Sequence, residues 1–134
     1  MNNIIYEGFF ITGNLDSKLE KDIQFKHITT EFIPKITHEN LYGTEAIFEL
    51  IGYGNDNKNE GYKVRLFKID NDELENIYNK IEIPHITLSV SATGKPVDTA
   101  KLNFFPLAYP VKYKPYLIST KFGGFNGKEV ILCN

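Results

Sequence analysis

Ile86, Leu88 and Val90 alternate with His85, Thr87, Ser89 and Ser91, and Pro84 bars a helix from entering the run. A period of two with one apolar and one polar face requires a half-buried strand, and a strand of that kind must find neighbours. The chain supplies them. Residues 25–33 are β-patterned, with Phe25, His27, Thr29 and Glu31 on one parity, and Pro34 ends the run. Residues 4–12, 46–53 and 62–69 read as further strands. The last two are joined by residues 54–61, a stretch polar enough to be expected as a long exposed loop. Residues 116–120 and 129–132 flank Gly123-Gly124-Phe125-Asn126-Gly127, and Asn-Gly favours a tight hairpin. Helical signal is thin. Leu74, Ile77 and Tyr78 fall at helical spacing in residues 72–80 behind Asn71 or Asp72 as a cap, and residues 16–22 are a second, shorter candidate. The expected class is α+β, dominated by antiparallel strands, in one domain spanning residues 1–134.

Composition narrows function more than fold. A formal net charge of −2 gives no global attraction to duplex DNA or an anionic membrane, so any phosphate binding must be local. Cys133 is the one cysteine, which excludes an internal disulfide and fits a reducing compartment. The first residues have neither a basic region nor a long apolar run, and no segment is long and apolar enough to span a bilayer. The expectation is a cytoplasmic monomer without a membrane partner.

The chemistry lies in an internal echo. Lys26-His27-Ile28-Thr29-Thr30-Glu31-Phe32 and Pro84-His85-Ile86-Thr87-Leu88-Ser89-Val90 each place an imidazole and a hydroxyl two residues apart. On a strand that spacing puts both groups on one face, about 6–7 Å apart along the backbone. Hydrolysis of a phosphodiester needs a base for the attacking water, an acid for the leaving oxygen, and donors for the non-bridging oxygens. Two histidines can divide the proton transfers near neutrality, and threonine hydroxyls on strands are firmly held donors.

These paired motifs resemble the twin His-x-Thr/Ser signature of the 2H phosphoesterase superfamily, which includes LigT-like RNA phosphodiesterases, the cyclic phosphodiesterase domains of tRNA ligases, and phage enzymes that destroy cyclic oligonucleotide signals. The run from Pro84 to Leu102 is also similar to the second-motif region of the tRNA-ligase-like branch. The resemblance implies two pseudo-symmetric lobes of antiparallel sheet around a central cleft, with helices packed outside and reduced here. It implies His27 and His85 as the catalytic pair, Thr29 and Thr87 as substrate-binding donors, and no metal or other cofactor. The implied substrate is a cyclic or 2′-linked phosphodiester of a nucleotide or RNA end, a 2′,3′-cyclic phosphate above all. A cyclic oligonucleotide handled by the same site is the alternative, and a nucleotide- or RNA-binding module without turnover is a third reading.

Other features carry less. His38 sits in a turn-rich segment and reads as a solvated loop histidine, and neither motif histidine has metal-ligand spacing to other residues. Gly94-Lys95-Pro96 reads as an ordinary turn. Lysines 26, 95, 101, 112, 114 and 121 read as a solvated face, while Tyr109, Tyr113 and Tyr116 are candidates for stacking a base.

Overall fold

A computed structural model describes residues 3–107 and 116–133. Its strands are β1 (Tyr6–Ile11), β2 (Lys21–Asp22), β3 (His27–Phe32), β4 (Glu45–Asn55), β5 (Asn59–Ile69), β6 (His85–Val90), β7 (Phe105–Pro106), β8 (Tyr116–Phe125) and β9 (Val130–Ile131). One helix, α1 (Asp72–Tyr78), and two 3₁₀ segments, Glu39–Leu41 and Pro96–Lys101, complete the described elements. The strands form one antiparallel sheet in the order β2-β6-β5-β4-β8-β1-β3, with β7 added to β4 and β9 to β8. The protein is thus sheet-dominated α+β.

The path through the sheet is long, yet its two ends meet. β3 and β6 come within 8 Å Cα to Cα although no ladder joins them among the described residues. The sheet therefore curls, as right-handed twist accumulated over six full strands allows. That curl brings the two His-Ile-Thr motifs, carried by β3 and β6, near each other.

Packing explains which face is which. Ile28 and Ile86, the central residues of the motifs, are fully buried in the core with Phe9, Phe48, Leu74, Leu88 and Phe122. Phe9 meets Phe48 and Phe122 edge to face, at centroid distances of 4.9 and 5.5 Å, a favoured aromatic geometry. α1 closes this side. Asn71 Oδ1 accepts from Leu74 N at 2.9 Å, an N-cap that fixes where the helix starts, and Leu74 and Tyr78 then reach the core. Period-two alternation consequently turns the histidines and threonines to the opposite face.

Three expectations need correction. Residues 54–61 are not a long exposed loop: β4 runs to Asn55 and β5 starts at Asn59, leaving a three-residue turn. Asp56 Oδ1 accepts from Lys58 N and Asn59 N there, at 2.9 and 2.7 Å. Asn59 and Glu60 are buried because each side chain has fixed partners, described below, and a satisfied polar group tolerates burial. Residues 16–22 are not helical. Lys18 N and Leu19 N instead donate to Glu60 Oε1 and Ser89 Oγ, at 2.8 and 3.1 Å, leading the chain into β2. The C-terminal hairpin exists, but β8 continues through Gly123-Gly124-Phe125 and turns only at Asn126–Glu129. Tyr109, Tyr113, Lys112 and Lys114 lie outside the described residues. Among those described, no helix is long and apolar enough to cross a membrane.

Candidate active site

Each motif strand pairs with a partner strand in the same register. On β3 and β1, His27 faces Phe10, Ile28 faces Phe9, Thr29 faces Gly8, Glu31 faces Glu7 and Phe32 faces Tyr6. On β6 and β5, His85 faces Lys63, Ile86 faces Tyr62, Thr87 faces Gly61, Ser89 faces Glu60 and Val90 faces Asn59. Both ladders skip the residue after the motif threonine, Thr30 in one and Leu88 in the other. Each motif is therefore followed by a β-bulge opposite a Glu-Gly pair, Glu7-Gly8 or Glu60-Gly61. The repeated unit is larger than His-Ile-Thr: it includes the glycine that faces the threonine and the buried glutamate before it.

The bulge corrects the parity expected along β3. The extra residue, Thr30, resets the alternation, so Phe32 joins His27 and Thr29 on the open face while Glu31 turns away toward Glu7. Across the curl, the 3₁₀ segment Pro96–Lys101 packs on β6 and β5. Between the two walls is a cavity of about 460 Å³. Tyr6, His27, Thr29 and Phe32 line one side, and His85, Pro96, Val97 and Ala100 the other. No lysine, arginine or carboxylate is among these lining residues.

The two histidines are held alike. His27 Nδ1 lies 2.9 Å from the Phe25 carbonyl and His85 Nδ1 lies 2.7 Å from the Ile83 carbonyl, in each case two residues upstream. A carbonyl oxygen only accepts, so both Nδ1 atoms carry their proton, and in the neutral ring Nε2 is left as a bare acceptor. His27 is further boxed by rings. Tyr6 stacks on it at 4.3 Å between centroids and Phe10 lies at 5.3 Å, with the Tyr6 hydroxyl 3.5 Å from Nδ1. Burial drives the pKa of His27 down to about 4, against the Phe25 hydrogen bond and aided by the nearby His85. The ring is therefore neutral across the physiological range. Burial also pushes the Tyr6 phenol up to about 12, which keeps it protonated.

The threonines differ. Thr29 lines the cavity, and its hydroxyl has no hydrogen-bond partner among the described residues. Thr87 Oγ1 lies 2.9 Å from Thr99 Oγ1 and 3.2 Å from the Pro96 carbonyl, and Asn59 Nδ2 donates to Thr99 Oγ1 at 3.0 Å and to the Lys95 carbonyl at 2.6 Å. The asymmetry comes from the 3₁₀ segment, which covers the β6 motif and leaves the β3 motif open.

The buried glutamates brace the bulges. Glu60 accepts from Ser89 Oγ and Lys18 N, both at 2.8 Å, and from the Tyr53 hydroxyl. Glu7 accepts from Tyr42 Oη and His38 N, both at 2.7 Å, and from His38 Nδ1 at 2.8 Å. His38 is thus no free loop histidine: it satisfies a carboxylate that is fully out of solvent. Glu7, Glu31 and His38 also bring three metal-ligating groups within 4.8 Å of one another, away from the cavity-lining set. There the His38 proton already occupies Glu7. The Glu-Gly pairs preceding each partner strand's aromatic residue, Phe9 and Tyr62, were available in the sequence as a second echo.

No protein-family model matches the chain, and no similar curated protein is found.

Proposed function

We propose that the protein hydrolyses a cyclic or 2′-linked phosphodiester of a nucleotide or RNA end, with a 2′,3′-cyclic phosphate as the first-choice substrate, by acid–base catalysis that requires no metal. The observation that carries this reading is the delivery of His27 and His85 to one cavity from opposite ends of the sheet, each with Nδ1 tied to a backbone carbonyl. The shared register of the two motif ladders supports two pseudo-symmetric lobes with this cavity as the cleft between them.

The chemistry divides by environment. His27, kept neutral by burial, takes a proton from water through Nε2 as the water oxygen bonds to phosphorus. The bond from phosphorus to the leaving ribose oxygen breaks, and His85, entering as imidazolium, protonates that oxygen through Nε2. A phosphomonoester results, and the two rings have exchanged protonation states. Thr29 and Thr87 donate to the non-bridging oxygens, where charge builds. A cavity of about 460 Å³ suits a ligand of nucleotide size, which favours a terminal or mononucleotide phosphodiester over a cyclic oligonucleotide held whole.

Turnover of 2′,3′-cyclic nucleotides, RNAs with cyclic-phosphate ends and 3′,3′-cyclic oligonucleotides, compared in EDTA, tests the proposal. Product from the first or second class with full activity in chelator is the expected result. The rate kcat/KM should rise as pH passes about 4, where His27 loses its proton. Activity lost in EDTA and restored by zinc or manganese overturns the mechanism, and tight binding without product favours the binding module.

Phe32 is 66% exposed although it lines the cavity, so it is placed to meet a ligand face. Loss of base stacking of about 1–3 kcal/mol in Phe32→Ser should raise KM roughly 5- to 150-fold with kcat little changed. Equal KM values for both proteins would remove Phe32 from substrate recognition.

A further inference from the structure

We infer that the Tyr6 hydroxyl is a further phosphate-binding donor of the cavity, and that with Thr29 it seats the phosphate of the ligand against the wall formed by β1 and β3. The inference rests on the proposed phosphodiesterase reading for the chemistry that follows, while its own support lies in which hydroxyls the fold leaves unspent.

The cavity-lining residues divide unevenly. On the β6 side they are His85, Pro96, Val97 and Ala100, and the one polar side chain among them, His85, has its Nδ1 tied to the Ile83 carbonyl at 2.7 Å. On the β1–β3 side are Tyr6 and Thr29, each with a hydroxyl. Tyr6 stands across from Phe32 in the ladder, yet its ring reaches along the strand to stack on His27, at 4.3 Å between centroids and 20° between planes, and on Phe10 at 5.9 Å. Only Gly8 separates Tyr6 from Phe10 on that face of β1, and it has no side chain to stand in the way. Phe125 stacks on Tyr6 as well, at 5.2 Å, so the ring that carries the hydroxyl is held by three neighbours.

The protein does not consume this hydroxyl. The Tyr6 oxygen lies 3.5 Å from His27 Nδ1, but Nδ1 already gives its proton to the Phe25 carbonyl at 2.9 Å and has no lone pair with which to accept another. Tyr6 cannot donate there, and its hydroxyl has no other hydrogen-bond partner among the described residues. Burial, which pushes the phenol up to about 12, keeps the proton in place, so Tyr6 is a neutral donor among lining residues that include no lysine or arginine. The matching position of the other ladder is committed. Tyr6 precedes Glu7-Gly8 as Asn59 precedes Glu60-Gly61, and the Asn59 amide is spent on the Lys95 carbonyl at 2.6 Å and Thr99 Oγ1 at 3.0 Å. Thr87 is spent likewise: it is not among the lining residues, and it donates to Thr99 Oγ1 at 2.9 Å and to the Pro96 carbonyl at 3.2 Å, contacts it must leave before meeting a phosphate. A phosphate seated by Tyr6 and Thr29 lies on the His27 wall and leaves His85 across the cavity for the leaving oxygen.

Tyr6→Phe removes the hydroxyl and keeps the ring; Tyr6→Leu removes both. With 2′,3′-cyclic AMP in EDTA, Tyr6→Phe should lower kcat about 10²-fold, the loss typical of one missing donor to a developing oxyanion, with the acid limb still near pH 4. Tyr6→Leu also uncovers His27, so its acid limb should move to higher pH, which separates the donor from the packing. Thr87→Val should cost less than Tyr6→Phe. A larger loss in Thr87→Val, or wild-type kcat in Tyr6→Phe, overturns the inference. Affinity for inorganic phosphate, followed by NMR titration, tests it without turnover: Tyr6→Phe should bind phosphate about 10-fold more weakly, as expected for one lost hydrogen bond to a charged group. That weakening in a protein that turns over no phosphodiester sinks the proposed function and keeps the Tyr6 donor. Turnover by wild type, with Tyr6→Phe equal to it in rate and in phosphate affinity, does the reverse.

Discussion

His27→Ala and His85→Ala are each expected to lower kcat/KM for a 2′,3′-cyclic nucleotide by about 10²- to 10⁴-fold, the usual contribution of one proton transfer. The double substitution should lose little more than the worse single one, since base and acid act in one displacement and groups that work as a unit are not additive. The two losses should differ in their pH dependence. Without His27 the acid limb near pH 4 disappears, because the group whose burial sets it is gone; without His85 that limb remains. His38→Gln serves as the histidine control: it lies outside the cavity, can still donate to Glu7, and should leave kcat unchanged. Assay by product separation in EDTA measures all four. Retention of wild-type rate in either cavity variant would remove that ring from the chemistry.

Much of this site was legible in the sequence because its signal is local. Two-residue spacing on a strand follows from backbone geometry, so His27 with Thr29 and His85 with Thr87 could be assigned to one face each before any fold was known. The cap at Asn71 and the Asn126-Gly127 turn are local for the same reason. What was not legible depends on pairing. Phe32 was expected on the face opposite His27, and only the bulge at Thr30, which exists because β1 holds β3 in that register, brings it into the cavity. Glu60 looked too polar for the interior because its partners Ser89, Lys18 and Tyr53 come from three other segments. His38 was read as solvated for want of the same information about Glu7. The covering of Thr87 by Thr99 was equally invisible, since a 3₁₀ segment has no strong period to read. Pairing also explains why the second echo went unnoticed: Glu7-Gly8 and Glu60-Gly61 mean nothing alone and become a motif only when each glycine is seen opposite a motif threonine.

That pairing makes the glycines the most sensitive positions outside the histidines. A Cβ on Gly8 would fall 2.3 Å from the Ile28 carbonyl oxygen, and one on Gly61 would fall 2.5 Å from both the Ile86 carbonyl oxygen and Thr99 Cγ2. Real contacts of this kind do not go below about 3 Å, and the atom in the way in each ladder is backbone rather than the tip of a flexible side chain. The strand pair must therefore part, which strains the bulge and breaks hydrogen bonds of the ladder. Overpacking a well-fitted site costs about 1–3 kcal/mol, and the rigid obstacle here puts Gly8→Ala and Gly61→Ala at or above the upper end. For a domain of this size a drop in Tm of roughly 10 °C follows. Gly13 has open space where its Cβ would be, so Gly13→Ala should change Tm by no more than a degree or two. The functional consequence separates the two ladders. Gly8→Ala displaces Thr29 and His27 together, while Gly61→Ala pushes on Thr99 and so on the hydrogen bond that Thr99 accepts from Thr87. Both should lose activity at temperatures where they remain folded, by about 10-fold or more, since misplacing a reacting group by 1 Å can cost 10². Thermal melts with rates measured well below each Tm test this. A Gly8→Ala or Gly61→Ala protein that keeps wild-type stability would mean that the strands are not held at this separation, and the matched register of the two motifs would lose its meaning.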